Sequence, residues 1–144
     1  MKPNYPIYYS RYHPPIIIIR RLSFSNIFVT ILNMSYVITY YNDALQAEIL
    51  NLPDGLLSRY LTLTDRMETY GANLGLPHTK AFGSGLFELR LKSAEGIARV
   101  FYCTLVGQRI VMLHSFVKKV QKTPAQDVRI AQTRMKEIKH VDTR

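Results

Sequence analysis

Cationic side chains recur through the second half of the chain at positions set by a strand period. Leu86 to Lys92 alternates strictly, with Phe87, Leu89 and Leu91 on one face and Glu88, Arg90 and Lys92 on the other. Lys80 precedes this run and Arg99 follows it, while Lys118, Lys119 and Lys122 come after the next apolar run. If neighbouring segments pair antiparallel, Arg99 and Lys118 approach Arg90 across one sheet. Guanidinium forks match phosphate oxygens, and a lysine acts as a second clamp or, with a lowered pKa, moves a proton. Such a group suits RNA cleavage by the RNA's own 2′-hydroxyl, which needs the nucleophile in line and the phosphorane charge stabilised. The competing reading is a surface ion pair between Glu88 and Arg90, with solvated lysines around it. His114 closes an apolar strand, where a lone histidine is more often a hydrogen-bonded core or rim residue than a catalyst. His78, beside Pro77 and near Lys80, ranks below it as a residue touching RNA.

Other chemistries lack their residues. The sequence has no Gly-rich phosphate loop, no metal box and no Gly-x-Ser-x-Gly nucleophile. Its four histidines (His13, His78, His114, His140) lie far apart, so neither a metal nor a cofactor is expected. The single cysteine, Cys103, forms no internal disulfide, and a reducing cytoplasm fits best.

The formal charge of +9 over 144 residues is unevenly spread. From Met34 to Gly75, Arg59 and Arg66 face five acids; from Leu76 to Arg144, thirteen basic residues face five acids. A small domain with one strongly cationic half is expected to meet a polyanion, and RNA is the obvious candidate.

The elements that must position these residues can be read from pattern. Ser35 to Tyr41 is β-branched and aromatic and predicts a strand. Asn42 or Asp43 caps a helix through about Leu50, which Pro53 ends. Asp54 caps a second helix from about Gly55 to Tyr70, closed by Gly71, with an apolar stripe wide enough to cover a sheet. Four strands follow: near His78 to Phe82, Leu86 to Lys92, Ile97 to Val106 and Arg109 to Phe116, the last buried on both faces. Thr123-Pro124-Ala125-Gln126 matches a capping box opening a final helix. There Val128, Ala131, Met135 and Ile138 form the apolar stripe and Arg129, Lys136 and Lys139 point elsewhere. The fold class is α+β: a strand and a two-helix hairpin packed on a small antiparallel sheet, then a C-terminal helix.

Residues 1–33 differ in character, carrying four basic residues, no acids and a cluster of Tyr, Pro and Ile. Their apolar runs fall short of the roughly 18 residues needed to cross a bilayer, and they lack a signal-peptide layout. The expected organisation is a non-native or disordered extension over 1–33, from a start assigned too early, and a domain over 34–144.

Three ordered segments carry a family resemblance. They are Gly85-Leu86-Phe87-Glu88-Leu89-Arg90, then Ala98-Arg99-Val100-Phe101-Tyr102, then Leu113 through Pro124. Together they resemble the RelE/HigB toxin superfamily, in its phage-derived Gp49-like HigB branch. The resemblance implies a metal-independent endoribonuclease of a type II toxin–antitoxin system that cuts mRNA in the ribosomal A site. It places Arg90, Arg99 and Lys118 as catalytic residues and Lys80, Lys92, Lys119 and Lys122 as RNA contacts. Members often carry a tyrosine or histidine near the chain end as acid or base; beyond Lys119 this chain has no tyrosine and only His140. Glu88, His114 and Lys118 remain the proton-transfer candidates. The resemblance also implies a cognate helix-turn-helix antitoxin, with DNA contacted only through that complex and no membrane partner. The alternative is a non-catalytic RNA- or ribosome-binding module, an inactive toxin homologue; a third possibility is a structural partner that stabilises an antitoxin repressor.

Overall fold

The structure, a computed structural model, describes residues 35–119 and 123–143. The extension expected over 1–33, the start at Met34 and the contact expected of Lys122 lie outside the described residues.

The chain opens with β1 (Val37–Tyr40), α1 (Asp43–Leu50) and α2 (Asp54–Tyr70). Asn42 caps α1, its side-chain oxygen accepting from the Leu45 N–H at 2.8 Å. Asp54 is the first residue of α2 and supplies no side-chain cap, because the rigid Pro53 occupies the capping position. Gly71 ends α2 at φ +96°, and a Cβ there would meet the Tyr36 ring at 3.3 Å. Four strands follow, β2 (Thr79–Gly83), β3 (Leu86–Ser93), β4 (Gly96–Leu105) and β5 (Arg109–Val117), before α3 (Ala125–Asp142).

β2 to β5 form the expected antiparallel meander, and β1 joins it as a fifth strand parallel to β5, giving the order β1-β5-β4-β3-β2. The N-terminal strand is therefore part of the sheet, which becomes mixed. The α1–α2 segment, with the rest of the meander, carries the chain over the sheet between these parallel neighbours, a connection no tight turn can make.

Helices cover both faces. α1 lies mainly on β5 and α2 on β3, burying Leu45, Ile49, Leu56, Tyr60, Leu63 and Met67 against Leu89, Leu91, Val100, Ile110 and Met112. On the opposite face Ala131, Met135 and Ile138 of α3 bury Leu86, Phe101, Cys103, Val111 and Leu113. Each such Leu or Met buried contributes about 1.5–3 kcal/mol. The second face of β3, expected to be an outer one, is thus covered over half its length: Leu86 and Glu88 are buried, Arg90 is half-buried and only Lys92 is exposed.

One irregularity in β5 decides which side chains reach that face. Phe101 pairs with His114 but Tyr102 with Met112, so Leu113 is an extra residue in β5. A regular strand would put Leu113 and Ser115 on the side of Val111. The bulge instead turns Ser115 toward α1, where it donates to Glu48 Oε1 at 2.7 Å, and sets His114 and Phe116 on the α3 side.

The capping box does not form. No side chain caps α3, and the Thr123 hydroxyl donates to Glu88 Oε1 at 3.2 Å. A buried carboxylate is the stronger acceptor competing for that hydroxyl, since hydrogen bonds to charged groups are worth about 1.5–3 kcal/mol.

Candidate functional site

Strand register makes the site. Arg90 of β3 and Arg99 of β4 are direct cross-strand partners on the α3 face, and the Lys118 N–H donates to Ile97 O at 2.7 Å just beyond. Lys80 of β2 pairs with Glu88, which places it one row away. The first turn of α3 overhangs this end of the sheet and leaves a cleft of about 570 Å³. Lys80, Arg90, Arg99, Lys118 and Arg129 line it, facing the single carboxylate of Glu88. Phe82 adds an apolar wall: the Lys80 ammonium lies 5.3 Å from its ring centre, and the ring meets Phe101 edge-on at 5.3 Å.

The two arginines are held differently. Arg99 is 5% exposed; its Nε lies 3.3 Å from Glu88 Oε1, and its Nη1 donates to Ala98 O at 3.0 Å. Burial lowers its pKa from the ordinary guanidinium value, the Glu88 charge raises it and the Arg90 charge lowers it. Arg90 stands 4.0 Å from Glu88 with its side chain 35% exposed, and its Nε makes no hydrogen bond. The closer partner of Glu88 is therefore Arg99, and Glu88 is buried, which overturns the picture of a surface Glu88–Arg90 pair. The carboxylate sits between two guanidiniums and stops them from repelling each other apart.

The remaining candidates scatter. Lys92 and Lys119 are exposed and outside the cleft lining. His114 shares the sheet face but not the lining, because its Nε2 is bound to Asp127 Oδ1 of α3 at 2.7 Å. It behaves as a hydrogen-bonded rim residue. Arg129, expected to point elsewhere, lines the cleft. It follows Val128 and sits four residues after Ala125, which is the edge of the apolar stripe; that spacing was the only signal for it. Among the described residues, no three His, Cys, Asp or Glu side chains converge as metal ligands. No helix among them is long and apolar enough to cross a membrane.

A net cationic cleft with two arginines on paired strands has a charge that suits a polyanion. The family profile of phage-derived Gp49-like proteins matches residues 47–136. The chain belongs to this family, one of RelE/HigB-like toxins. The Gp49-like match runs from within α1 into the last turns of α3, so it contains every residue of the cleft. No curated protein matches the chain. Membership makes this Gp49-like protein toxin-like and implies an antitoxin partner in general.

Proposed function

We propose that this chain is the toxin of a type II toxin–antitoxin pair, an endoribonuclease that cuts mRNA in the ribosomal A site of the cytoplasm. The observation that carries the reading is the cleft in which Arg90 and Arg99 stand side by side with Lys80, Lys118 and Arg129 around one carboxylate. Arg90 is the phosphate clamp in this reading, since its side chain lines the cleft and is 35% exposed, whereas Arg99 is buried against Glu88. Arg99 and Glu88 hold Arg90 in place and supply field. Lys118 and Arg129 stabilise the charge that builds on the phosphorane when the 2′-hydroxyl attacks and the 5′-oxygen leaves. Of the three proton-transfer candidates, Lys118 is the one that lines the cleft without a carboxylate or imidazole partner of its own. A cognate helix-turn-helix antitoxin would neutralise the protein and carry the DNA contacts of the pair.

A second reading has its own support: no imidazole or tyrosine lines the cleft among the described residues. That favours a non-catalytic RNA- or ribosome-binding module. Induction of the chain without antitoxin distinguishes the two. The toxin reading expects growth arrest with new mRNA 5′ ends in primer extension. It also expects Arg90→Ala to lower the cleavage rate by about 10²–10³, as loss of one charge-stabilising donor does. Arrest without new ends would support the binding module, and normal growth with soluble protein would sink the toxin reading.

A further inference from the structure

Arg59 and Arg66 lie on α2, on the face of the sheet opposite the cleft, and β2 is the edge strand on that side. We infer that Arg59, Arg66 and Tyr70 of α2, with His78, form an outer subsite for single-stranded RNA. It takes the strand that leaves the cleft past Lys80. This rests on the reading of the cleft as an RNA site.

Three observations place the subsite. His78 stands at the sheet edge opposite Arg90, whose N–H donates to His78 O at 2.8 Å. Its ring reaches the other layer, where Arg59 Nη2 donates to His78 Nδ1 at 3.1 Å. A guanidinium only donates, so this bond leaves the imidazole proton on Nε2 as a further donor. Arg59, Arg66 and Tyr70 then follow one face of α2, at separations of seven and four residues, over about 16 Å. Arg66 is exposed, and Tyr70, at 76% exposure, is a large aromatic ring set in solvent.

The charge on α2 is sorted. Asp65 and Glu68 line the groove toward β1 and α1, away from the two arginines. His78 has its pKa lowered by burial first and then by the charges of Arg59 and Arg66, so both guanidiniums bear on the same spot. Arginines that track phosphates beside an aromatic ring that accepts a base are the usual means of holding a single strand without sequence preference. Tyr70 occupies the last turn of α2, where the helix dipole disfavours a phosphate, so its part is stacking on a base.

The test uses the full chain and fluorescein-labelled 2′-O-methyl RNA, which binds without being cut, in lengths of roughly four and roughly fourteen nucleotides. The long RNA is expected to bind more tightly than the short one, and Arg66→Ala or Tyr70→Ala to erase most of that advantage. Tyr70→Ala should weaken the long RNA roughly five- to hundredfold, and Tyr70→Trp should restore it. Arg66→Ala should reduce the slope of log affinity against log salt by about 0.7. Both residues are exposed, so the variants keep the fold. Tight binding of the long RNA that neither variant weakens overturns the outer subsite and leaves the cleft reading standing. Binding of neither RNA overturns the outer subsite as a site for free RNA strands, while the ribosome-dependent reading of the cleft stands or falls on primer extension. A poly-glutamate peptide that loses as much affinity as RNA on Tyr70→Ala would assign the stripe to an acidic protein segment and overturn the RNA assignment.

Discussion

Glu88 is the residue on which the cleft depends, and its removal has a calculable effect. Glu88→Ala leaves the Arg99 guanidinium buried beside a void, and breaking one partner out of a buried ion pair costs about 3–5 kcal/mol. Arg99 keeps its bonds to Ala98 O and Leu91 O, which argues for the lower end, about 3 kcal/mol. In a domain near one hundred residues that corresponds to a melting temperature lower by about 12–24 °C. Arg99→Met alone leaves Glu88 with Thr123 and the more distant Arg90, and is also destabilising. The double variant removes both charges together, so it should cost less than the sum of the single variants by at least about 1 kcal/mol. Urea unfolding followed by far-ultraviolet circular dichroism, with the slopes compared, measures all four corners of this cycle. A Glu88→Ala cost below about 1 kcal/mol, or additivity within about 0.5 kcal/mol, would refute the claim that Glu88 neutralises a buried Arg99.

Three further outcomes are expected. Tyr102→Phe removes the hydroxyl that donates to Ala72 O at 2.5 Å and leaves that carbonyl unpaired in the core, a loss of about 1–3 kcal/mol in denaturant unfolding. Cys103 is buried and its thiol is pushed up to about 11, so iodoacetamide should label it only at the rate of unfolding, and urea should accelerate that labelling. His78 has a folded pKa below its ordinary 6.5, so the unfolded chain binds the proton more tightly. Its contribution is complete above pH 6.5 and is lost as pH falls through the folded value. His78→Asn should therefore flatten the fall in stability between neutral and acidic pH, read from urea midpoints.

Much of this protein was legible along the chain. The Asn42 cap, the stop at Gly71, the alternation in β3 and the stripe Val128, Ala131, Met135, Ile138 are local signals, because capping, left-handed backbone and periodicity act over a few residues. They yield the order of elements, the alternation of β3 and the buried stripes of the helices. They also brought Lys80, Arg90, Lys92, Arg99, Lys118, Lys119 and Lys122 forward as one set, of which Lys80, Arg90, Arg99 and Lys118 line the cleft. What covers a face is a different matter, because it depends on contacts between segments distant in sequence. Only the tertiary structure put β1 beside β5, buried Glu88 under the start of α3 and swung Arg129 into the cleft. The bulge at Leu113 likewise reversed the parity of β5, bringing His114 and Phe116 to the α3 side and setting His114 against Asp127. Pattern alone determined that the cations could meet. The packing of α3 on the sheet decided which of them is buried and which share one cleft.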